Sequence, residues 1–499
     1  MKKQGSLLIF LFFISFAAFC QKPLNDFDQF VRTVSNDWKI PGLAVGIVKG
    51  DSIFLSKGYG YRNLEQKLPV TSKTIFPIAS ISKTFTGIDL CLLEEEGKLN
   101  LQQPVKEYVP QFTLYNDLLT SETTLIDLLS HRTGIPSHDA MWWGTDKTRE
   151  QLFNGLRYLQ PNKGLREEWQ YSNLSYMSAG YILQLVSGDN WETYTQKKIL
   201  QPLGMSATHF SVKEIEGSSD FSYPYVYQNG EIKRKAFRNL DAIGPCGSIN
   251  SSLEDMLKYL QMLVNKGTYK GRIIVPEKVL LKAQRPVVIM PYANPNGIAS
   301  AYGLGFQQES FDKYMLLEHR GQIDGFTSVL TLVPEMKIGI ILLANTEVTQ
   351  PTGIVRDRLL QALLGLPLTE VHIKAAKDWL SYTEGQQREA TTKVQKILDR
   401  DDRIKGTHPS HSLDAYCGTY SHPAYGSIRV EKDEEGLKIS RNDHHSKLSH
   451  YHYDYFLTHE LFPFYRTTLE FRTNGDGDID QLVIQMENKV EPTLFTKTK

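Results

Sequence analysis

The chain has 499 residues, 41% of them hydrophobic, with Lys plus Arg and Asp plus Glu both at 56. That is enough apolar sequence for a large core in two or three domains, and a formal charge of zero excludes electrostatic steering toward nucleic acid or anionic lipid. The cysteines Cys20, Cys91, Cys246 and Cys417 are too scattered for a disulfide framework or a cysteine-rich metal cluster.

At the N-terminus Lys2 and Lys3 precede an apolar run over residues 7–19 that ends in Ala17, Ala18, Phe19 and Cys20. This is the pattern of a secretory signal cut between Cys20 and Gln21, and it predicts a mature chain in the periplasm or outside the cell. A lipid anchor on Cys20 is the less favoured alternative, because Phe19 is not the small residue such signals place before the cysteine. The run is too short to be a membrane span.

Residues 26–38 place Phe27, Phe30, Val31, Val34 and Trp38 on one helical face, and Pro41-Gly42 ends it. Two apolar runs around Lys49-Gly50-Asp51 predict a hairpin over residues 43–58. From Ile81 onward Ile81, Phe85, Ile88 and Leu92 recur at helical intervals, with Asp89 and the run from Glu94 to Glu96 on the wet side and Gly97 as the stop. Ser80 stands where this helix begins and Lys83 follows one turn later. A serine hydroxyl is a poor nucleophile until a base takes its proton, and a buried lysine one turn away can be that base. The same spacing also fits an N-cap serine beside a solvated lysine. Ser310 and Lys313 repeat it with no apolar helix behind them.

Residues 124–136 read as a short helix with a Gly134 and Pro136 stop, followed by a loop bearing His138, Asp139, Trp142 and Trp143. Tyr171-Ser172-Asn173 opens a further helix over residues 175–186. Residues 242–247 form a small-residue loop ahead of a capped amphipathic helix. His319-Arg320-Gly321 leads into strand-like runs at 327–333 and 338–345, and a helix over 353–364 follows. With strands at both ends and helices between, the fold class is α+β, with one antiparallel sheet built from the two ends. Residues 366–410 read as a connector holding a charged helix. From Ser412 the texture changes to short aromatic runs divided by Gly and Asn, a separate small all-β domain. The expected division is signal peptide 1–20, main domain 21–365, helical connector 366–410 and β domain 411–499.

Taken in order, Ser80-Ile81-Ser82-Lys83, Tyr171-Ser172-Asn173 and His319-Arg320-Gly321 resemble the three motifs of the serine β-lactamase-related family, which groups class C β-lactamases, D-amino-acid peptidases of the penicillin-binding type and esterases. The resemblance spans residues 27–364. It implies a β-lactamase/transpeptidase-like fold in which Ser80 attacks a carbonyl, Lys83 takes its proton and Tyr171 relays a proton to the leaving group. It further implies an oxyanion hole from Ser80 N–H and Gln322 N–H, and an Asn173 that holds the amide part of a substrate unless it caps the following helix.

The function so implied is cleavage of a peptide amide of D-amino-acid type or a small ester through an acyl-enzyme, acting on a small-molecule or peptide substrate with no cofactor. The alternatives are a class C-like β-lactamase and a penicillin-binding sensor that is acylated once and does not turn over. His319 occupies the third motif, with Gly321 behind it, where penicillin-directed members carry a lysine that grips the β-lactam carboxylate. A neutral histidine weakens that grip, and its protonation toward pH 6 is expected to restore some of it. His131 and His138 read as structural or loop residues, and Asp139, Trp142 and Trp143 as cleft wall or lid packing. His444, His445, His450 and His452 have no Cys or Glu partner at ligand spacing, so no metal is expected, and they read as a surface or edge strand.

Overall fold

The first strand, Gly42–Lys49, sends Leu43, Val45 and Ile47 into one apolar layer and Ala44 and Val48 into another, as a strand buried on both faces must. The computed structural model to which this strand belongs describes residues 26–293, 298–370, 374–381, 403–460 and 467–498. The expected signal peptide, residues 1–20, and most of the connector lie outside the described residues.

Among the described residues the main sheet has nine strands, in the order Val288–Ala293, Ala299–Tyr302, Gln307–Phe311, Tyr314–Ile323, Phe326–Val333, Ile338–Ala344, Gly42–Lys49, Ser52–Asn63 and Leu68–Pro69. Strand Gly42–Lys49 therefore pairs with Ile338–Ala344, Leu43 opposite Ala344, and the two ends of the domain close one antiparallel sheet. Helices Phe27–Asp37 and Gln350–Leu364 cover one face through Phe27, Val31, Val34, Val355 and Leu359. Helix Leu253–Val264, capped by Ser252, covers the other and leads into the helical region around Ser82–Glu95. The three strands before Tyr314 have little sequence signature: they are short and interrupted by Asn294-Pro295-Asn296-Gly297 and by Gly303 and Gly305.

Helix Ser82–Glu95 departs from its expected amphipathic character. Every residue from Ser82 to Leu93 is buried, so Asp89 is not on a wet face. This helix runs through the centre of the helical region and has no solvent side until Glu94. Thr195 Oγ1 donates to Asp89 Oδ2 at 2.5 Å, and burial pushes the carboxyl up to about 8.

Among the described residues the C-terminal part is a closed barrel of eight strands, from Gly418–His422 to Thr493–Lys497, closed where these two pair. Its lumen is filled: Tyr420, Ile428, Ile439, Phe471, Leu482 and Phe495 are all buried. Strand His444–His452 pairs with Gly436–Arg441 on one side and Tyr455–Thr458 on the other, so the histidine-rich run is not an edge strand. Closure is the reason, since a closed barrel has no edge. The barrel core and the helical region form one apolar cluster, joined near Met141 and Ala424. No helix among the described residues is long and apolar enough to cross a membrane.

Candidate active site

Ser80 lies in a 3₁₀ turn, Ala79–Ile81, that runs into helix Ser82–Glu95. Ala79 has φ 46, a left-handed conformation that costs a residue with a Cβ about 1–2 kcal/mol. The flanks hold it there: Ser328 Oγ donates to Ile78 O and Ser82 Oγ to Ala79 O, each at 2.7 Å, and Ile78 N–H donates to Ile249 O at 2.9 Å. No side chain caps either helix start, so the Ser80 hydroxyl is not an N-cap. It is held by Lys83 Nζ at 3.0 Å and Tyr171 Oη at 2.8 Å.

Lys83 is fully buried, and Nζ also reaches Asn173 Oδ1 at 2.9 Å and Cys246 O at 2.8 Å. All three partners are uncharged, and no carboxylate pairs with Lys83 among the described residues. The Cys246 carbonyl comes from a short helix, Gly244–Gly247, in the stretch expected to be a loop.

Ser172, rather than Asn173, caps helix Asn173–Ser187, accepting from Ser175 N–H. The Asn173 amide is left to bridge two groups: its Oδ1 accepts from Lys83, and its Nδ2 donates to Asp139 Oδ1 at 3.2 Å. The same Asp139 oxygen accepts from Trp142 Nε1 at 2.6 Å, and burial pushes the Asp139 carboxyl above its ordinary range. Asp139 thereby fixes which end of the Asn173 amide faces Lys83. Behind Tyr171, His131 is buried with φ 61, accepts from Ser172 N–H through Nδ1 at 3.1 Å and packs its ring 4.6 Å from that of Tyr171. Burial, with Lys83 and His319 nearby, holds His131 well below its ordinary value.

The third motif lies on strand Tyr314–Ile323, whose alternation turns Arg320 away to the ion pairs of Glu318. Gly321 is required by close approach, because a Cβ there would stand 2.3 Å from Ile78 O and 3.0 Å from Ser80 N. The strand end bearing Gln322 thus runs beside the Ser80 amide, and the Gln322 side chain donates to Glu347 O at 2.8 Å. His319 is buried rather than on the cleft wall. Its Nδ1 is 2.8 Å from Arg320 O, which can only accept, so Nε2 accepts from Tyr302 OH at 2.9 Å. Burial first and Lys83 second hold His319 down at about 3. The expectation that His319 regains a charge toward pH 6 is therefore corrected.

These groups open onto a cleft of about 480 Å³ lined by Ser80, Asn173, Gln322, Asp139, Trp142 and Trp143, and also by Lys235, Asp324 and Glu347. Lys235 is paired with both Asp324 and Glu347. Sequence reasoning placed Ser80, Lys83, Tyr171, Asn173, Gly321 and Gln322 around one point, and the structure brings them together there. It missed Ala79, the Cys246 carbonyl, Tyr302 and the Lys235 cluster, and it had Asp139 only as wall. A backbone carbonyl has no residue signature, and alanine gives no hint of a left-handed turn. Ser310 lies on strand Gln307–Phe311, outside this site.

Fold and constellation together define a serine hydrolase of the β-lactamase/transpeptidase type. The chain belongs to the Beta-lactamase family, whose model matches residues 27–364, and residues 402–497 match a domain of unknown function, DUF3471. A relative from Aspergillus violaceofuscus, named unguisins hydrolase ungD, is 26% identical over 84% of this chain and 78% of its own. Protein flp of Staphylococcus aureus is 29% identical over 64% of each chain. In structure the chain is similar to an octameric penicillin-binding protein homologue from Pyrococcus abyssi, with TM-score 0.62, 24% identity, and 95% of this chain and 100% of that one covered. It is also similar to the D-amino acid amidase of Ochrobactrum anthropi SV3, with TM-score 0.58, 22% identity, and coverage of 68% and 99%.

Proposed function

We propose that this protein is a secreted or periplasmic serine hydrolase that forms an acyl-enzyme on Ser80 and cleaves a peptide amide of D-amino-acid type or a small ester. The observation that carries the reading is the convergence of Lys83 Nζ and Tyr171 Oη on one oxygen, Ser80 Oγ, at 3.0 and 2.8 Å. Ser80 Oγ attacks the substrate carbonyl as its proton passes to Lys83, and the carbonyl oxygen gains charge facing Ser80 N–H and Gln322 N–H. Tyr171 delivers a proton to the leaving nitrogen or oxygen and regains one from Lys83, so the net transfer is the Ser80 proton to the leaving group. Water then attacks the acyl-enzyme, with the same two side chains accepting and returning its proton.

The cleft favours a substrate without a fixed carboxylate. Lys235 is the one cation lining it among the described residues, and two acids already occupy it. The buried, neutral His319 offers no second cation. Losing a charge-assisted contact to a β-lactam carboxylate costs roughly 1.5–3 kcal/mol, or about ten- to a hundredfold in kcat/KM. The amidase and the unguisins hydrolase are other proteins, but their names favour amide substrates as the first to test.

The test is kcat/KM of the mature chain for D- and L-aminoacyl amides, p-nitrophenyl butyrate and nitrocefin, with mass spectrometry of the acylated protein. The expected result is turnover of an amide or ester above that of nitrocefin, with the adduct on Ser80. Efficient nitrocefin turnover would replace this reading with a β-lactamase, and a stoichiometric label that persists would replace it with a sensor. For location, N-terminal sequencing of the exported chain is expected to begin at Gln21; a cytoplasmic chain that keeps Met1 would sink that part.

A further inference from the structure

The cleft wall over residues 137–143 is held by the C-terminal barrel. His138 has φ 46, a left-handed conformation that a residue with a Cβ keeps only where its surroundings enforce it. Within the hydrolase domain its ring meets Gln160 O at 2.9 Å. Its carbonyl also accepts from Met141 N–H at 2.8 Å, and three further contacts cross the domain boundary. Glu487 Oε2 accepts from Ser137 Oγ at 2.9 Å and from His138 N–H at 3.0 Å, and Tyr425 OH lies 2.6 Å from His138 Nδ1.

Arg441 donates from Nη2 to Ala140 O at 2.5 Å, and Asn442 Nδ2 donates to Trp143 O at 3.0 Å. Arg441 is buried, and no carboxylate pairs with it among the described residues. A buried cation facing carbonyls alone is costly, so its place at the back of this turn needs a reason. A second arm reaches the rim, where Asp443 pairs with Arg238 at 3.1 Å and the Arg238 guanidinium lies 4.1 Å over the Trp143 ring. Docking is close: a Cβ on Gly144 would stand 2.1 Å from Asp443 Oδ1.

This turn carries Asp139, whose Oδ1 orients the Asn173 amide that meets Lys83. A path therefore runs from Glu487 through His138, and from Arg441 through Ala140, to the Asp139 that stands between them in the chain and on to Asn173, Lys83 and Ser80. Because the described lumen is filled with side chains, the barrel's notable surface is this docking face rather than its interior.

We propose that the C-terminal barrel is a working part of the active site in the same chain, with Arg441 and Glu487 as positioning residues that hold Asp139 against Asn173. The proposal rests on the acyl-transfer reading of Ser80. Its test is a double-mutant cycle in the full-length chain, using Arg441→Ala, Asp139→Ala and both, with the single-turnover acylation rate by p-nitrophenyl acetate as readout. Arg441→Ala is expected to slow acylation about tenfold or more, since small misplacements of a catalytic group have effects of that size. Arg441→Lys, which still donates to Ala140 O, should recover most of the rate. In the Asp139→Ala background Arg441→Ala should add less than about twofold, because both act through one contact. Should Arg441→Ala not fold, as judged by circular dichroism, Glu487→Ala, which removes the acceptor of Ser137 Oγ and His138 N–H, carries the same expectation at about threefold. Additive losses, or normal acylation in the folded variants, overturn the proposal while leaving Ser80 in place. Hydrolysis that survives Ser80→Ala instead sinks the acyl-transfer reading itself.

Discussion

The two walls of the cleft are built on different terms. The wall bearing Ser80, Lys83 and Tyr171 is fixed by its own domain, through Ser328, Ile249, Cys246 and His131. The wall bearing Asp139, Trp142 and Trp143 is also held from outside its domain, by Tyr425, Arg441, Asn442 and Glu487 of the barrel. The groups proposed to make and break bonds are thus anchored in a single folding unit. The wall that orients them depends on a second unit, and it is the place where the appended domain can alter rate or specificity without touching the nucleophile.

The largest effects are expected on the first wall. Ser80→Ala removes the attacking oxygen, and Lys83→Arg keeps nitrogen donors at this place but cannot accept a proton at working pH. Each should lower kcat/KM by at least about a thousandfold, with Ser80→Ala retaining the wild-type melting temperature within a few degrees. Steady-state hydrolysis and thermal denaturation check this, and rates within tenfold of wild type in either variant would remove the assignment.

The contact between the walls should give an intermediate effect. Asp139 Oδ1 accepts from both Trp142 and Asn173, and an asparagine carbonyl in the same place can accept from both. Asp139→Asn should therefore stay within about threefold of wild type in kcat/KM, whereas Asp139→Ala, which leaves both donors unmet, should fall about ten- to a hundredfold. If the two variants lose activity equally, the carboxylate charge matters rather than the contact, and the orienting role of Asp139 is wrong.

The same contrast explains what could be read from residues alone. Ser80, Lys83, Tyr171 and Asn173 carry chemistry in their side chains and recur in an ordered set of short motifs, so their meeting was legible before any fold was known. The hairpin over residues 43–58 and the α+β division were legible for a similar reason: period-two and helical patterns are local. What was not legible is tertiary. Asp89 looks solvated on a helical wheel and is buried because a third layer covers that side. His138 gave no sign that a glutamate almost 350 positions away would hold its backbone. The strands over residues 288–311 exist because the sheet edge recruits them, not because their own sequence insists on it.

The smallest effect concerns the back of the first wall, where His319 is a neutral spacer rather than a substrate contact. Its folded value of about 3 lies below the ordinary 6.5, with burial as the leading cause and Lys83 as the second. A histidine depressed in this way contributes stability that is full above the unfolded value, declines as the pH falls below it, and is gone once the pH passes the folded value. At pH 5 the unfolded chain has taken up a proton that the folded chain refuses, which costs about 2 kcal/mol from this group. His319→Gln keeps a neutral donor and acceptor and removes the titration. The variant is expected to be less stable than wild type at pH 7, through lost packing, but to lose about 2 kcal/mol less on going from pH 7 to pH 5. Its kcat/KM for an ester should stay within about tenfold of wild type, because no charged contact to the substrate is removed. Denaturant melts of both proteins at the two pH values decide the point. Equal losses of stability from pH 7 to pH 5 would mean that His319 takes up its proton in the folded state as readily as in the unfolded one, and the reading of His319 as a neutral spacer would then be wrong.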